Sequence, residues 1–243
     1  MKLNVFTKTD ELYKAFANYF VKCAKEAIAA NDKFSVALSG GSSPKKLYQL
    51  LASDEYKNQV DWTKVYFFFG DERYVDHSHP DSNYLMAKNA FLDALNIKEN
   101  QVYKVDTSLD PESAALDYER CICQFFNKDK DPCFDLIILG LGDDAHTASL
   151  FPETKIVWID EELVKEVYLE DKQAYRISMT APLINKAKNV AFLAFGNNKA
   201  DAIKAIFEAE KDISKYPAQL IKPKNGQLQW FVDESAVSKL NKS

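Results

Sequence analysis

The run Leu136-Ile137-Ile138-Leu139 contains no polar residue and ends at once in Gly140-Leu141-Gly142-Asp143-Asp144-Ala145-His146-Thr147-Ala148-Ser149-Leu150-Phe151-Pro152. A wholly apolar stretch of strand length has no face to give to water, so it fits a strand covered on both sides, as in a parallel sheet between layers of helices. Comparable runs lie at 34–38, 65–69, 102–105, 134–139, 175–179, 190–195 and 228–232. Helical patterns fall between them, at 44–53, 82–95, 111–126, 197–209 and 233–240, and a first helix over 10–29 carries Leu12, Phe16, Phe20, Cys23, Ala24 and Ala27 on one face. The alternation predicts an α/β chain with a mostly parallel sheet flanked by helices. In such sheets ligands bind just beyond the carboxyl ends of the strands, which directs attention to the loops.

Composition narrows the class. At 243 residues, 47% hydrophobic and 28% charged, the chain fits a single globular domain over 1–243, with no linker or low-complexity segment to divide it. The net charge of -5 argues against general nucleic-acid binding, and no run is long enough to span a membrane. Four cysteines without paired zinc-ligand spacing, and an N-terminus without a secretory apolar core, lead us to expect a cytoplasmic protein with reduced thiols. A monomer is the default expectation.

Four strand-following loops hold the unusual residues. The first is Ser39-Gly40-Gly41-Ser42-Ser43-Pro44. Its glycines let backbone approach a ligand, and a helix with Ser43 as N-cap and Pro44 at its first position presents free amides to an anion. Gly70-Asp71-Glu72-Arg73 follows three consecutive phenylalanines and offers a carboxylate and a guanidinium for a polyhydroxylated, anionic ligand. His77-x-His79, a little further on, lacks a third metal ligand and reads as a solvated loop. In Gly196-Asn197-Asn198-Lys199, a cation in the first turn of a helix opposes the helix dipole, a conflict that an anionic ligand resolves. In the loop after Leu139, His146 lies two residues from Asp144, a pairing suited to proton transfer near neutral pH. Gly140-x-Gly142-x-x-Ala145, with Asp160 beyond, also matches a dinucleotide-binding fingerprint. However, Pro152 interrupts the long helix that fingerprint requires.

Taken together, Ser-Gly-Gly-Ser-x-Pro at 39–44, Gly-Asp-Glu-Arg at 70–73, His-Pro-x-Ser-Asn at 79–83, the His146 segment through Pro152, Gly-x-x-Lys-Ala at 196–200 and Trp-Phe-Val-Asp at 230–233 resemble the 6-phosphogluconolactonase family over nearly the whole chain. The resemblance implies a Rossmann-like sheet shared with glucosamine-6-phosphate deaminases, and hydrolysis of 6-phosphoglucono-1,5-lactone in the oxidative pentose phosphate pathway. It implies neither a metal nor an organic cofactor. The expected catalytic group is His146, oriented by Asp144 or Asp71. Ser39, Gly40, Gly41, Ser42, Ser43, Arg73, Ser149 and Lys199 are expected to bind the phosphorylated sugar lactone. Two alternatives stay open: a deaminase or isomerase, disfavoured because Leu150-Phe151-Pro152 stands where those enzymes carry a glutamate, and a non-catalytic sugar-phosphate sensor.

The chain departs from the family twice. Asp144-Ala145-His146 replaces Asp-Gly-His, and alanine at positive φ is strained, so the loop is expected to take another shape if the family's backbone needs that conformation. Pro217-Ala218-Gln219-Leu220 lacks an arginine that many relatives carry near the Pro-Ala pair, which places weight on Arg73 and Lys199 for anion binding.

Overall fold

The computed structural model describes residues 1–127 and 131–241. In chain order the elements are β1 (Lys2–Phe6), α1 (Thr9–Asn31), β2 (Phe34–Leu38), α2 (Ser42–Leu51), β3 (Val65–Phe69), β4 (Asp71–Arg73), α3 (Asn83–Ala87), α4 (Pro111–Phe126), β5 (Leu136–Leu139), β6 (Val164–Leu169), β7 (Ala174–Met179), α5 (Ala181–Ile184), β8 (Asn189–Ala194), α6 (Ala200–Glu208) and β9 (Gln227–Asp233).

Six strands form a parallel sheet in the order β1-β9-β8-β5-β2-β3. Side chains alternate across it with period two. Phe34, Val36, Leu38, Leu136 and Ile138 pack with α1 and α2 on one face, whereas Ala37, Ile137, Leu139 and Phe192 pack with α4 and α6 on the other. From β2 the chain moves outward to β3, then returns to place β5 on the other side of β2. The strand order thus reverses between β2 and β5, where doubly wound sheets open a crevice.

The alternation with helices predicts one sheet, but β7, the expected run at 175–179, belongs to a second, antiparallel sheet in the order β4-β7-β6. Three strands carry no long apolar run. β1 is a half-exposed edge strand, β4 has three residues, all polar, and β6 includes Lys165 and Glu166. The run at 102–105 makes only an isolated bridge, Phe67 to Val102, and Tyr103 stacks on Phe68 at 4.5 Å. Its apolar residues pack against the sheet without joining it. The expected helix over 82–95 is α3 followed by a π-helical turn over Lys88–Leu92, and residues 234–239 form turns instead of a helix. α2 starts at Ser42, one residue before the expected N-cap. The preceding Gly41 takes φ 105°, and no side chain caps the helix.

At the amino ends of the central strands, buried Asp135 accepts from the Ser35 amide at 2.9 Å, the Ser35 hydroxyl at 2.8 Å and Lys188 Nζ at 2.8 Å, joining the starts of β2, β5 and β8. Removing the carboxylate strands buried donors, each loss typically costing about 1–3 kcal/mol. Asp135→Ala is expected to destabilise the chain by about 2–4 kcal/mol in urea titration. Because this knot lies at the end of the sheet opposite the loops described next, activity per folded molecule should stay within about twofold of wild type, a change too small to indicate a lost polar contact.

Candidate active site

The loops after β2, β3, β5 and β8 meet around a cavity of about 320 Å³ lined by Ser39, Gly40, Gly41, Asp71, Arg73, Gly140, Leu141, Gly142, Asp143, His146, Thr147, Ala148, Ser149, Phe151, Lys172, Arg176 and Lys199. A wider groove of about 710 Å³ runs behind Asp144 and Ala145 toward Asp201 and Glu208, but it includes neither His146 nor the arginines.

His146 sits in a loop fixed by its own backbone. The Gly142 amide donates to the His146 carbonyl at 2.8 Å, the Ala145 amide to the Gly142 carbonyl at 3.2 Å, and the Thr147 hydroxyl to the Gly140 carbonyl at 2.8 Å. The imidazole Nδ1 lies 2.6 Å from Asp144 Oδ1, which also accepts the His146 amide at 3.1 Å, and the ring stacks on Phe151 with centroids 4.1 Å apart. With Nδ1 engaged, Nε2 is the nitrogen left for a ligand. Burial works to raise the Asp144 pKa, but the hydrogen bond and charge of His146 outweigh it and hold the carboxyl at about 2. A depressed carboxylate stabilises the folded chain above its usual 3.8, and that contribution is lost as pH falls toward 2.

Gly142 and Ala145 shape this pair. A Cβ on Gly142 would lie 2.1 Å from His146 Nδ1 and 2.3 Å from Asp144 Oδ1, so only glycine leaves room for the two side chains. Ala145 takes φ 66° and is fully buried, its carbonyl accepting from the Ala218 amide at 3.0 Å. Alanine therefore occupies a left-handed turn here, its buried methyl and its carbonyl both engaged by neighbouring residues.

Asp71 and Arg73 occupy alternate positions of β4, both lining the cavity. Asp71 accepts from the Ser149 hydroxyl at 2.7 Å, and the Asn83 amide lies 3.5 Å from its other oxygen. Asp144 is the group hydrogen-bonded to His146, and Asp71 braces Ser149. Glu72, between them, is buried and accepts from the amides of Arg73, Asn83 and Tyr84 at 2.7–2.9 Å, tying β4 to the start of α3. Arg73 pairs across the small sheet with Arg176, a like-charged juxtaposition that opposes folding unless an anion sits between the heads. Burial, then the Arg73 charge, push the Arg176 pKa below the usual arginine range. Arg73 Nη1 also donates to the Asp81 carbonyl at 3.0 Å.

In the glycine loop the Tyr48 hydroxyl accepts the Ser39 amide at 2.9 Å and donates to the Ser39 carbonyl at 2.8 Å. A Cβ on Gly40 would lie 2.0 Å from Asn83 Oδ1. Ser42 and Ser43, expected at the phosphate, are not among the cavity-lining residues: they form the first turn of α2, and the Ser43 carbonyl accepts from Tyr13. Lys199 borders the cavity in a short 3-10 turn ahead of α6. Gln219, at the departure near the Pro-Ala pair, is buried and bonds the Ala205 carbonyl and the Asp212 amide. His77 contacts the Val105 carbonyl at 2.8 Å, and no cluster of potential metal ligands occurs among the described residues. The dinucleotide fingerprint likewise fails on context, because turns and not a helix follow β5. Sequence reading missed Arg176, Lys172 and Phe151. Arg176 lies on an expected strand, but its position opposite Arg73 follows only from the register of the second sheet.

Gly142→Ala is expected to displace the Asp144–His146 pair and reduce kcat by about 10²-fold or more, the scale of a positioned acid-base group, with a native circular dichroism spectrum. Retention of wild-type kcat would show that the clash is relieved without moving the pair. Ala145→Gly relieves about 1–2 kcal/mol of left-handed strain but loses about 0.8 kcal/mol of buried methyl and adds unfolded-state entropy. Its unfolding free energy should therefore stay within about 1 kcal/mol of wild type.

A family model described as glucosamine-6-phosphate isomerases/6-phosphogluconolactonase matches residues 7–230. The chain is 44% identical over 214 residues to a 6-phosphogluconolactonase of Synechocystis sp., covering 87% of this chain and 86% of that one. It is 40% identical over 218 residues to one from Nostoc sp., covering 88% of each. Among solved structures, a devB protein superposes with a TM-score of 0.90 at 29% identity, covering 99% of both chains. A 6-phosphogluconolactonase from Trypanosoma cruzi superposes at 0.89 with 28% identity, covering 99% of this chain and 97% of that one. With these matches spanning its sheet, its loops and the His146 segment, the chain belongs to the glucosamine-6-phosphate isomerase/6-phosphogluconolactonase family.

Proposed function

We propose that this chain is a lactonase that hydrolyses 6-phosphoglucono-1,5-lactone to 6-phosphogluconate, a reading supported by its similarity to proteins of Synechocystis sp. and Nostoc sp. that are named 6-phosphogluconolactonase. The observation that carries the reading is the His146–Asp144 pair at the wall of a cavity that also holds Arg73, Arg176 and Lys199. A lactone carbonyl is already electrophilic, so the site needs a base, donors for the tetrahedral oxyanion and an acid for the ring oxygen. With Nδ1–H donated to Asp144, Nε2 of the neutral imidazole takes a proton from water as the hydroxide oxygen bonds to the lactone carbonyl carbon. The same proton passes to the ring oxygen as the carbon–oxygen bond breaks. Water is thus divided between the new carboxyl group and the freed hydroxyl, and one histidine serves as base and then acid.

Glycine-loop amides of Gly40 and Gly41 are the backbone donors assigned to the oxyanion. Arg73, Arg176 and Lys199 are assigned to the 6-phosphate, which relieves the repulsion between the paired arginines. Asp71 and Ser149 are assigned to sugar hydroxyls. The deaminase alternative is disfavoured by Phe151, which occupies the place of the expected glutamate segment and packs on the imidazole.

Purified protein without added metal or nicotinamide is expected to accelerate opening of lactone generated in situ well beyond its spontaneous rate, and to release no ammonia from glucosamine 6-phosphate. The reverse outcome would favour the deaminase, and binding of 6-phosphogluconate with neither activity would favour a sensor. His146→Ala should lose about 10²-fold or more in kcat, the usual scale for a positioned acid-base group. Arg73→Ala and Lys199→Ala should each lower kcat/KM by roughly ten- to hundredfold, the usual cost of a charged hydrogen bond. Activity of His146→Ala within about threefold of wild type, far below the scale of a positioned base, would remove His146 from the chemistry.

A further inference from the structure

Lys172 stands at the tip of the hairpin joining β6 to β7 and borders the cavity. Its ammonium lies over the Phe151 ring, 4.5 Å from the centroid. The same ring carries the His146 imidazole, nearly parallel at 4.1 Å. Phe151 is thus in contact with both the His146 imidazole and the Lys172 ammonium. Among the described residues no carboxylate pairs with Lys172 within ion-pair distance, whereas many other lysines of the chain have such a partner.

The strengths of the competing contacts decide what this means. An exposed cation–π contact biases a side chain by a factor of only about two to five, whereas a charge-assisted hydrogen bond to an anion is worth roughly ten- to hundredfold. An ammonium resting on a ring at the rim of an anion site is therefore held loosely enough to exchange that contact for a stronger one. Lys172 is followed on the same hairpin by Arg176, four residues on, which pairs with Arg73 across the sheet. That places Lys172 on the side of the cavity that the arginines make cationic, with Lys199 contributed separately from the loop after β8.

We propose that Lys172 is a specificity residue: it leaves Phe151 to bind the phosphoryl group of the substrate, and so discriminates phosphorylated from unphosphorylated lactones. The proposal rests on the lactonase reading. No covalent step is involved.

Lys172→Met, which keeps the aliphatic stem and removes the charge, is compared with Lys172→Arg and wild type on 6-phosphogluconolactone and on glucono-1,5-lactone. Lys172→Met is expected to lower kcat/KM on the phosphorylated lactone by roughly tenfold or more, chiefly through KM, and to leave the unphosphorylated lactone within about twofold. Lys172→Arg should recover most of the loss. A residue that merely supported Phe151 would change both substrates alike, so equal losses on the two, or none on either, would overturn the proposal while leaving the lactonase reading intact. Failure of wild type to open the lactone would instead reject that reading. Calorimetric titration of wild type and Lys172→Met with 6-phosphogluconate would then still decide the phosphate contact, with equal affinities counting against it.

Discussion

The site depends on how little room there is at Gly142. Its missing side chain is the space that the His146 ring and the Asp144 carboxylate occupy together, and the 2.6 Å contact between them exists only because that space is empty. Everything around the pair then follows from keeping it in one orientation. The left-handed turn at Ala145 carries the chain from one side chain to the other, the Gly142–His146 backbone bond closes the loop, and Phe151 fixes the plane of the imidazole. The proposed proton-transfer role requires a group held in place to within a fraction of an ångström, and backbone bonds and steric exclusion hold the imidazole here in place of a long side-chain network.

Charge is arranged on a different scaffold. The molecule carries a net charge of -5 and does not attract anions as a whole, so capture has to be local. The small antiparallel sheet provides it by setting Arg73 opposite Arg176, while Glu72 on the alternate face anchors β4 to the start of α3 through the amides of Asn83 and Tyr84. Repulsion between the arginines is built in before any ligand arrives, so an anion that enters relieves a cost already incurred on folding. The two sheets hold different parts of the cavity wall: the parallel sheet carries the His146 loop and Lys199, and the antiparallel one carries the paired arginines.

Much of this was legible in the sequence because its signals are local. Buried parallel strands announce themselves as unbroken apolar runs, and the loops that follow β2, β3, β5 and β8 contain nearly all the cavity's residues. What was not legible depends on non-local pairing. β6 is charged and half-exposed and carries no strand signature of its own, so neither the second sheet nor the Arg73–Arg176 register follows from spacing. Ser42 and Ser43 looked like phosphate ligands because serines near a helix start commonly are. The helix instead starts two residues early, after Gly41 at φ 105°, and neither serine is among the residues that line the cavity. Ala145 shows the limit of intrinsic backbone preference, because tertiary contacts hold it in a left-handed conformation that alanine disfavours. Asp71 and Asp144 were interchangeable as partners of His146 until geometry gave the imidazole to Asp144 and the Ser149 hydroxyl to Asp71.

The central claim is that one cavity holds both the reacting carbon and the phosphate of a single substrate, at opposite ends and with separate protein groups. A crystal structure with 6-phosphogluconate bound tests it most directly. The account predicts the carboxylate carbon within hydrogen-bonding reach of His146 Nε2 through one intervening water, and the phosphoryl oxygens between Arg73, Arg176 and Lys199. A product bound in the groove beside Asp201 and Glu208, or with its phosphate at His146 and its carboxylate on the arginines, would contradict it.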